Sequence, residues 1–362
     1  MDKNENKAFE WYLKPAESGN ALAQNNLGNC YQYGIGANKD EKKAFEWYLK
    51  SVNDEYALGQ FNLGYCYWNG IGTDKDKKKA FEWYLKSAEN GNIEAQNYLG
   101  HCYRNGIGTD KDEKKAFEWY LKSAENGNAM AQSNLGYSTC YENGIGTDKD
   151  EKKAFEWYLK SAKNGNIEAQ NYLGNCYQNG KGTDKDEKKA FEWYSKSAEN
   201  GNALAQNNLG YCYQHCIGTY KDEKKAFELY LKSAEKGNAY AQSNLGYCYL
   251  NGIEVEKNEK QAFEWFLKSV EGGNVSGQDY LGYFYLNGIG IEKDENKAFE
   301  WYSKSANEGS ASGQYSLGYF YENGIGTEEN IKDAVRWYKI AFDNGYEEAK
   351  DMLDNILLNH RI

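Results

Sequence analysis

The chain has 362 residues, of which 54 are Asp or Glu and 43 are Lys or Arg, so its formal net charge is -11 at pH 7. The acidic residues are spread along the whole sequence, which disfavours nucleic acid and anionic membrane surfaces as partners. No run approaches the roughly 18 apolar residues of a membrane span, and the first residues lack the apolar segment of a signal peptide. We therefore expect a cytoplasmic protein without membrane insertion, unless a leader lies upstream of Met1.

One phrase, centred on the dipeptide Ala-Phe and spaced by 36 residues, is repeated along the entire chain. The Ala of this dipeptide stands at positions 8, 44, 80, 116, 154, 190, 226, 262 and 298, and the tenth copy has Ala334 followed by Val335. A period of this length is typical of stacked supersecondary units. Length alone would suggest two or three globular domains, but ten copies of one unit predict a single elongated array over residues 1–362.

The first element of each copy is an amphipathic helix, which we name helix B. The array is expected to begin with a lone helix B at residues 3–19, and the second copy shows the pattern clearly at residues 41–52. Asp40 stands before this segment, and all ten copies have Asp or Asn there, as an N-cap requires. Nine of the ten copies then have Gly as a left-handed stop signal, and Glu55 is the exception.

The second element, helix A, is predicted over residues 57–67 in the same copy. Its Gly64 recurs in all nine full copies, although an interior Gly costs about 1 kcal/mol relative to Ala. We infer that a neighbouring helix passes too close for a side chain, and we expect Trp47 and its equivalents to lie over these small residues. The invariant Gln of helix A, which is Gln24 in the first copy, is interpreted as a structural hydrogen-bonding residue.

Two extra residues, Ser138 and Thr139, interrupt the period inside one helix A. They would turn a helix by about 200°, so this helix must bulge, break or loop out for Leu135 and Tyr141 to face the core. We expect a local distortion, which would provide a hinge between the two halves of the array. At the other end, residues 346–359 have lost the Leu-Gly pair and suit a C-terminal capping helix.

The conserved spacing of the copies is A-x-A-Q-x-x-L-G-x-x-Y-x-x-G-x-G, an acidic cap, and K-A-F-E-W-Y-x-K-S-A-x-x-G. From Lys3 to about Gly345 this pattern resembles Sel1-like repeat proteins, which are relatives of the tetratricopeptide repeat proteins. The resemblance implies an all-α fold, an α/α solenoid with about nine antiparallel helix pairs in a right-handed superhelix. It also implies a non-catalytic scaffold or adaptor in protein complexes. The alternative is that the chain is the recognition arm of a larger signalling or enzymatic protein.

One face of helix A differs from copy to copy, while the opposite face is nearly uniform. A face that varies on an otherwise copied helix is not held by packing, and the resemblance implies that helix A lines the concave side of the solenoid. We expect this face to bind an extended peptide or a helical segment of a partner protein. The alternative is drift among tolerated residues whose aromatic rings partly pack on adjacent A helices. The candidate binding residues are Leu58, Phe61, Tyr65, Trp68, Glu94, Tyr98, His101, Arg104, Met130 and Tyr137.

The sequence offers little for catalysis, metal binding or cofactor binding, and none of the three is expected. Seven of the eight cysteines occupy one position of helix A, where two later copies have Phe, so this position favours a buried apolar group. Cys212 and Cys216 lie one helical turn apart with His215 between them, which suggests a metal site. His215 and Cys216 replace the Asn-Gly that ends other A helices, however, so drift at a loop is the simpler interpretation.

Overall fold

The computed structural model describes residues 3–52, 55–136 and 140–360, and these residues form twenty α-helices. The odd-numbered helices up to α19 are the B helices and the even-numbered helices up to α18 are the A helices. Their bounds are α1 Lys3–Glu17, α2 Ala21–Tyr33, α3 Glu41–Ser51, α4 Ala57–Asn69, α5 Lys77–Glu89, α6 Ile93–Asn105, α7 Glu113–Glu125, α8 Ala129–Gly136, α9 Glu151–Lys163, α10 Ile167–Asn179, α11 Glu187–Glu199, α12 Ala203–His215, α13 Glu223–Glu235, α14 Ala239–Asn251, α15 Glu259–Glu271, α16 Val275–Asn287, α17 Glu295–Asn307, α18 Ala311–Asn323, α19 Ile331–Asp343 and α20 Glu348–His360.

Two compact units divide the chain, one formed by residues 1–186 and the other by residues 187–362. Within each unit, every helix packs against the helix that follows it in the sequence. Successive A helices also meet, as α2 and α4 do in the first unit. This arrangement of packed helix pairs confirms the all-α, α/α solenoid predicted from the repeat.

The helix ends follow the repeated capping residues. The side chain of Asp40 accepts a hydrogen bond from the backbone N–H of Lys43 at 3.0 Å, and Asn20 accepts one from Ala23 at 2.9 Å. Gly34 ends α2 in the left-handed conformation, with φ 74°. Glu55 replaces Gly at the end of a B helix, yet it adopts the same conformation, with φ 56°. The predicted caps and stops are therefore confirmed, and at Glu55 the fold imposes a backbone geometry that the residue does not favour.

The glycine in the middle of the A helix contacts an aromatic ring of the next B helix, which is a tyrosine at Gly64 and a phenylalanine, Phe266, at Gly246. A Cβ atom at Gly64 would lie 2.8 Å from Cδ1 of Tyr84 and 3.3 Å from the carbonyl oxygen of Ala80. The inferred close approach is thus confirmed, but our assignment of the covering ring to tryptophan is wrong. Tyr84 is fully buried under this glycine, whereas Trp83, its neighbour on the same helix, packs against the core of the preceding copy. Both rings belong to one apolar stripe, so periodicity alone does not distinguish them.

In seven copies the invariant glutamine of helix A ties the A helix to the end of the preceding B helix. Gln24 donates through Nε2 to the carbonyl oxygen of Ala16 at 3.0 Å, and Gln132 donates in the same way to Ala124 at 3.0 Å. Each of these carbonyl groups also accepts a backbone N–H at the helix end, from Gly19 and Gly127, so the buried glutamine adds a second hydrogen bond there. The structural role predicted for this glutamine is confirmed.

Helix α8 is shorter than the other A helices, ending at Gly136 after eight residues. Leu135 before the insertion is fully buried, and Tyr141 after it is 8% exposed. The backbone N–H of Tyr141 donates to the carbonyl oxygen of Leu135 at 3.1 Å. The expected interruption of the helix with both residues kept in the core is therefore confirmed. The inserted Ser138 and Thr139 themselves lie outside the described residues.

Candidate protein-binding surface

Five positions of the A helix vary between copies, and we number them 2, 5, 6, 9 and 12 from the first residue of the helix. In α4 they are Leu58, Phe61, Asn62, Tyr65 and Trp68. The structure separates these positions into two groups. Positions 2 and 9 lie at the surface in most copies, whereas positions 5, 6 and 12 contact neighbouring helices. Only part of the face that sequence variation marked is thus available to a partner.

Position 2 carries the exposed apolar side chains of the candidate surface. Leu58 is 40% exposed and Met130 is 46% exposed, and Glu94 lies between them in the helix order, also exposed. Position 9 supplies half-buried Tyr65 and exposed His101 in the same unit. The next candidate at position 9 is Tyr137, which lies outside the described residues.

Positions 5 and 6 join successive A helices. In the first two copies Asn62 donates through Nδ2 to Oδ1 of Asn25 at 2.7 Å, and Asn25 is fully buried. At the next step the pair is aromatic, because Phe61 meets Tyr98 with ring centroids 5.6 Å apart. The polar pair Asn25 and Asn62 is thus replaced by the apolar pair Phe61 and Tyr98 at the next step. Both partners change together and keep the contact between the helices, so packing explains this variation.

In four copies position 12 provides the acceptor for the buried tyrosine of the next B helix. The hydroxyl of Tyr48 donates to Oε1 of Gln32 at 2.6 Å, and the hydroxyl of Tyr230 donates to Oε1 of Gln214 at 2.6 Å. Glu142 and Glu322 play the same role for Tyr158 and Tyr338. Sequence reasoning missed this function. The sequence carries no consistent signal for it, because Leu250 precedes Phe266 but Leu286 at the same position precedes Tyr302.

The candidate aromatic residues of the second and third copies form one cluster around Tyr84. Ring centroids lie 5.7 Å apart for Phe61 and Tyr84, 6.0 Å for Trp68 and Tyr84, and 5.1 Å for Tyr84 and Tyr98. His101 lies at the edge of the cluster, 5.9 Å from Trp68. Tyr65 also belongs to the cluster, with its ring centroid 6.4 Å from that of Phe61. The structure therefore brings together five of the predicted residues, namely Phe61, Tyr65, Trp68, Tyr98 and His101. They act as a packed unit, of which only the outer edge is accessible.

The charged groups near this cluster come from the chain itself. The ammonium group of Lys77 lies 3.5 Å from the ring centroid of Trp68 and donates to the carbonyl oxygen of the same residue at 2.9 Å. Desolvation lowers the pKa of His101 below its usual value of 6.5, and the charges of Arg104 and Lys77 add to the effect. Arg104 also lies beside the buried hydroxyl of Tyr120. Burial raises the pKa of Tyr120, and the positive charge of the Arg104 guanidinium offsets part of this increase. His101 is thus mainly neutral at neutral pH.

Seven of the eight cysteines are buried thiols rather than reactive groups. All eight are free, and all except Cys216 are buried. Burial raises the pKa of Cys66 and that of Cys102 to about 12, so both remain protonated and poorly nucleophilic at neutral pH. Cys216 ends helix α12 in the left-handed conformation, with φ 59°. Within the described ranges no three His, Cys, Asp or Glu side chains lie close enough together to hold a metal ion.

The repeat profile that matches this chain is that of the Sel1 repeat. Ten successive matches cover residues 1–20, 21–54, 57–92, 93–128, 129–166, 167–202, 203–238, 239–274, 275–310 and 311–346. The chain belongs to the Sel1 repeat family. No curated protein sequence matches it. Sel1 repeats and the related TPR-like repeats are generally protein-interaction scaffolds and are typically non-catalytic.

Solved structures of Sel1 repeat proteins share the fold. This Sel1 repeat chain is similar to c5321, a protective antigen of uropathogenic Escherichia coli, with 32% identity over 97% of this chain and 83% of that chain and a TM-score of 0.68. It is also similar to a Sel1 repeat protein from Oxalobacter formigenes, with 28% identity over 86% of this chain and 90% of that chain and a TM-score of 0.61. The APC/C heterotetramer Cut9-Hcn1 shares the fold alone, at 13% identity over 93% of this chain and 67% of that chain with a TM-score of 0.52.

In the described part of the chain no helix is long and apolar enough to cross a bilayer. The described A helices of the Sel1 repeats present a row of exposed side chains at positions 2 and 9.

Proposed function

We propose that this Sel1 repeat protein is a non-catalytic scaffold that binds a peptide or helical segment of a partner protein across α4, α6 and α8. The observation that carries the proposal is the exposure of Leu58 and Met130 at the same position of α4 and α8. Exposed apolar side chains beside aromatic rings and an arginine have the composition of a protein interface.

The neighbouring aromatic cluster supports the proposal by giving the surface a rigid base. Phe61, Trp68 and Tyr98 pack against buried Tyr84. Because these side chains are already ordered, binding a partner would cost little side-chain entropy. Glu94 occupies the same repeat position on α6, between Leu58 and Met130 in the helix order, and Arg104 lies near the other end of α6, beside Tyr120. These charges of opposite sign would select the orientation of the bound segment. We propose that Leu58 and Met130 contact the partner directly.

The test is a selection of random 12-residue peptides displayed on phage against the immobilised full chain. Selected peptides are then titrated against the wild type and against the double variant Leu58→Asp and Met130→Asp. Placing a carboxylate at both exposed apolar positions should weaken binding about tenfold or more, which corresponds to roughly 1.4 kcal/mol. The helical signal in circular dichroism should be unchanged, because both side chains lie at the surface.

The matched control is Leu204→Asp in α12, which has the same repeat position, the same starting residue and 42% exposure, but lies in the second unit. It should leave the affinity of the selected peptides unchanged. Peptides that bind the double variant as tightly as the wild type, or a selection that enriches no peptide, would contradict the proposed surface.

A further inference from the structure

A cleft of about 470 Å³ lies in the second unit, between α16 and α18, with α17 beneath it. Its walls include the rings of Tyr280, Tyr283 and Tyr302 and the carboxylate of Asp279. Tyr302 is buried, whereas Tyr283 is 44% exposed at the mouth. Tyr280 stacks on Phe266 with centroids 4.2 Å apart, which fixes its ring in place. The volume is in the range typical of small-ligand sites.

The carboxylate of Asp279 is held by three serine hydroxyl groups. Ser305 donates to Oδ1 at 2.5 Å, while Ser310 and Ser312 donate to Oδ2 at 2.7 and 2.5 Å. These donors fix the direction of the carboxylate without neutralising its charge. In the described part of the chain, no Lys or Arg forms an ion pair with Asp279, whose contacts are the three hydroxyl groups.

This arrangement departs from the rest of the repeat. In five other copies the serine equivalent to Ser305 donates to the first carbonyl group of the preceding A helix, as Ser233 does to Ala203 and Ser269 to Ala239, both at 2.6 Å. Ser305 is turned to Asp279 instead. Position 5, which Asp279 occupies, has Asn, Ser, Phe or Tyr in the other full copies. A carboxylate at this position is therefore a feature of one cleft only.

At two other sites on the A helices that are lined by tyrosine or tryptophan rings, a lysine side chain of the same protein already supplies an ammonium group. In the first unit, Glu142 lines a cleft with Tyr158 and Tyr172, and Lys181 enters it with its Nζ atom 3.6 Å from Oε1 of Glu142. Lys181 replaces the isoleucine found at this loop position in other copies. The aromatic cluster around Trp68 likewise holds Lys77. The cleft at Asp279 has the carboxylate and the rings but no ammonium group.

We infer that the cleft at Asp279 binds an alkylammonium group, of the size and charge of a lysine side chain, from outside the chain. The carboxylate would accept its N–H groups, and the rings of Tyr283 and Tyr302, which line the cleft, would attract the cation. The chemistry fits a free amine as well as a lysine presented by a protein, and the experiment separates these sources. This inference concerns the second unit and does not depend on the proposed function of α4, α6 and α8.

The test uses ligand-observed NMR on the full chain with three blocked amino acids: Nα-acetyl-lysine methylamide, its Nε-trimethylated form, and Nα-acetyl-norleucine methylamide as a neutral isostere. The two cationic ligands should bind, and their affinity should fall as salt is raised. The norleucine ligand should bind at least tenfold more weakly. Equal binding of norleucine, or no binding of either cation, would overturn the inference.

Variants at repeat positions give the matched controls. Asp279→Asn introduces the residue that α2, α6, α10 and α12 have at position 5, and Tyr283→Asn introduces the residue of α2 and α10 at position 9, so both should fold. Each should weaken the cationic ligands by about fivefold or more. Tyr211→Asn, at the same position of α12 and 42% exposed, should have no effect. Unchanged affinity in Asp279→Asn would overturn the assignment.

One further titration distinguishes a free amine from a lysine presented by a protein. A nine-residue peptide with a central lysine is compared with Nα-acetyl-lysine methylamide on the same protein. Tighter binding of the peptide that is lost in Asp279→Asn assigns the cleft to a protein segment. Equal affinity of the two ligands assigns it to free amines. Binding of the peptide that is unaffected in Asp279→Asn would contradict the site itself.

Discussion

The buried hydroxyl group of Tyr84 has no hydrogen-bond partner, because Trp68 occupies the position from which other copies supply an acceptor. Gln32 and Gln214 accept the equivalent hydroxyl groups of Tyr48 and Tyr230 at 2.6 Å, whereas the indole of Trp68 packs against the ring of Tyr84 with centroids 6.0 Å apart. The aromatic cluster of the second and third copies is thus formed at the expense of one hydrogen bond. A buried donor without a partner is destabilising.

Tyr84→Phe should therefore stabilise the protein, by about 1 kcal/mol, because it removes the unpaired hydroxyl group and keeps the ring. Tyr230→Phe is the matched control, since the same change there removes a hydrogen bond to Gln214 and should destabilise by about 1 kcal/mol. Urea unfolding midpoints of the two variants should lie on opposite sides of the wild type. Two shifts of the same sign would contradict this interpretation of position 12.

Gly64→Ala should destabilise the protein even though alanine is the better helix former by about 1 kcal/mol. Its Cβ would stand 2.8 Å from the ring of Tyr84 and 3.3 Å from the backbone oxygen of Ala80, so the two helices must separate, at a cost of about 1–3 kcal/mol beyond that gain. Gly246→Ala provides the comparison, because there the nearest atoms, in the ring of Phe266, lie at 3.1 Å. The measurement is the thermal midpoint, and a smaller loss is expected for Gly246→Ala than for Gly64→Ala.

Cys216→Gly should raise stability by up to about 1 kcal/mol. Cys216 has φ 59°, a conformation that costs a residue with a side chain roughly 1–2 kcal/mol, partly offset by the greater freedom of glycine in the unfolded chain. Cys216→Ala keeps the strained backbone and removes the thiol. It should show no gain, so an equal rise in both variants would assign the effect to the thiol instead.

Stability should fall in acid through the aspartate caps of the B helices. Backbone N–H donors lower the pKa of Asp76, Asp112 and Asp150 below the usual value of 3.8, with the nearby lysines as a further cause. A folded-state pKa below the unfolded one gives stability that is present above about pH 4 and is lost as the pH falls through the folded-state value. The thermal midpoint should consequently decrease in this range.

Replacing these three caps with Asn, which caps α15 and α19 in the same chain, should make the decrease between about pH 5 and pH 2 shallower. The control changes Asp74, Asp110 and Asp148, each two residues earlier in the same loops, to Asn. Both triple variants remove three carboxylates, so they share the change in net charge. If the two pH profiles coincide, the caps are not the cause.

Much of the fold follows from residues that can be recognised one copy at a time. Asp40 and Gly34 begin and end helices through local backbone geometry, and Gln24 forms the hydrogen bond expected of an invariant buried amide. Such contacts join residues close in sequence, so a single copy contains both partners. The interruption of α8 followed from counting residues along a helix, which is equally local.

The candidate surface was predicted less completely. A position can vary between copies because it is exposed, or because it changes together with a residue that it contacts, and a sequence does not distinguish these two causes. Leu58 varies at an exposed position, whereas Phe61 varies together with Tyr98, its partner about 37 residues later. Asp279 was overlooked for the same reason, since its importance depends on serines that lie on two other helices. Compensation between copies is visible only once the contacting positions are known.

By itself the sequence determined the repeat, the bounds of its helices, the Sel1 family and the places where backbones come close, since each of these depends on local geometry repeated ten times. The tertiary structure decided that Tyr84 rather than Trp83 covers Gly64, and that positions 2 and 9 are exposed while positions 5, 6 and 12 are packed. It also decided that Asp279 faces a cleft lined with tyrosines. The physical reason is that these outcomes depend on the relative rotation of helices in neighbouring copies, which the period of a single helix does not contain.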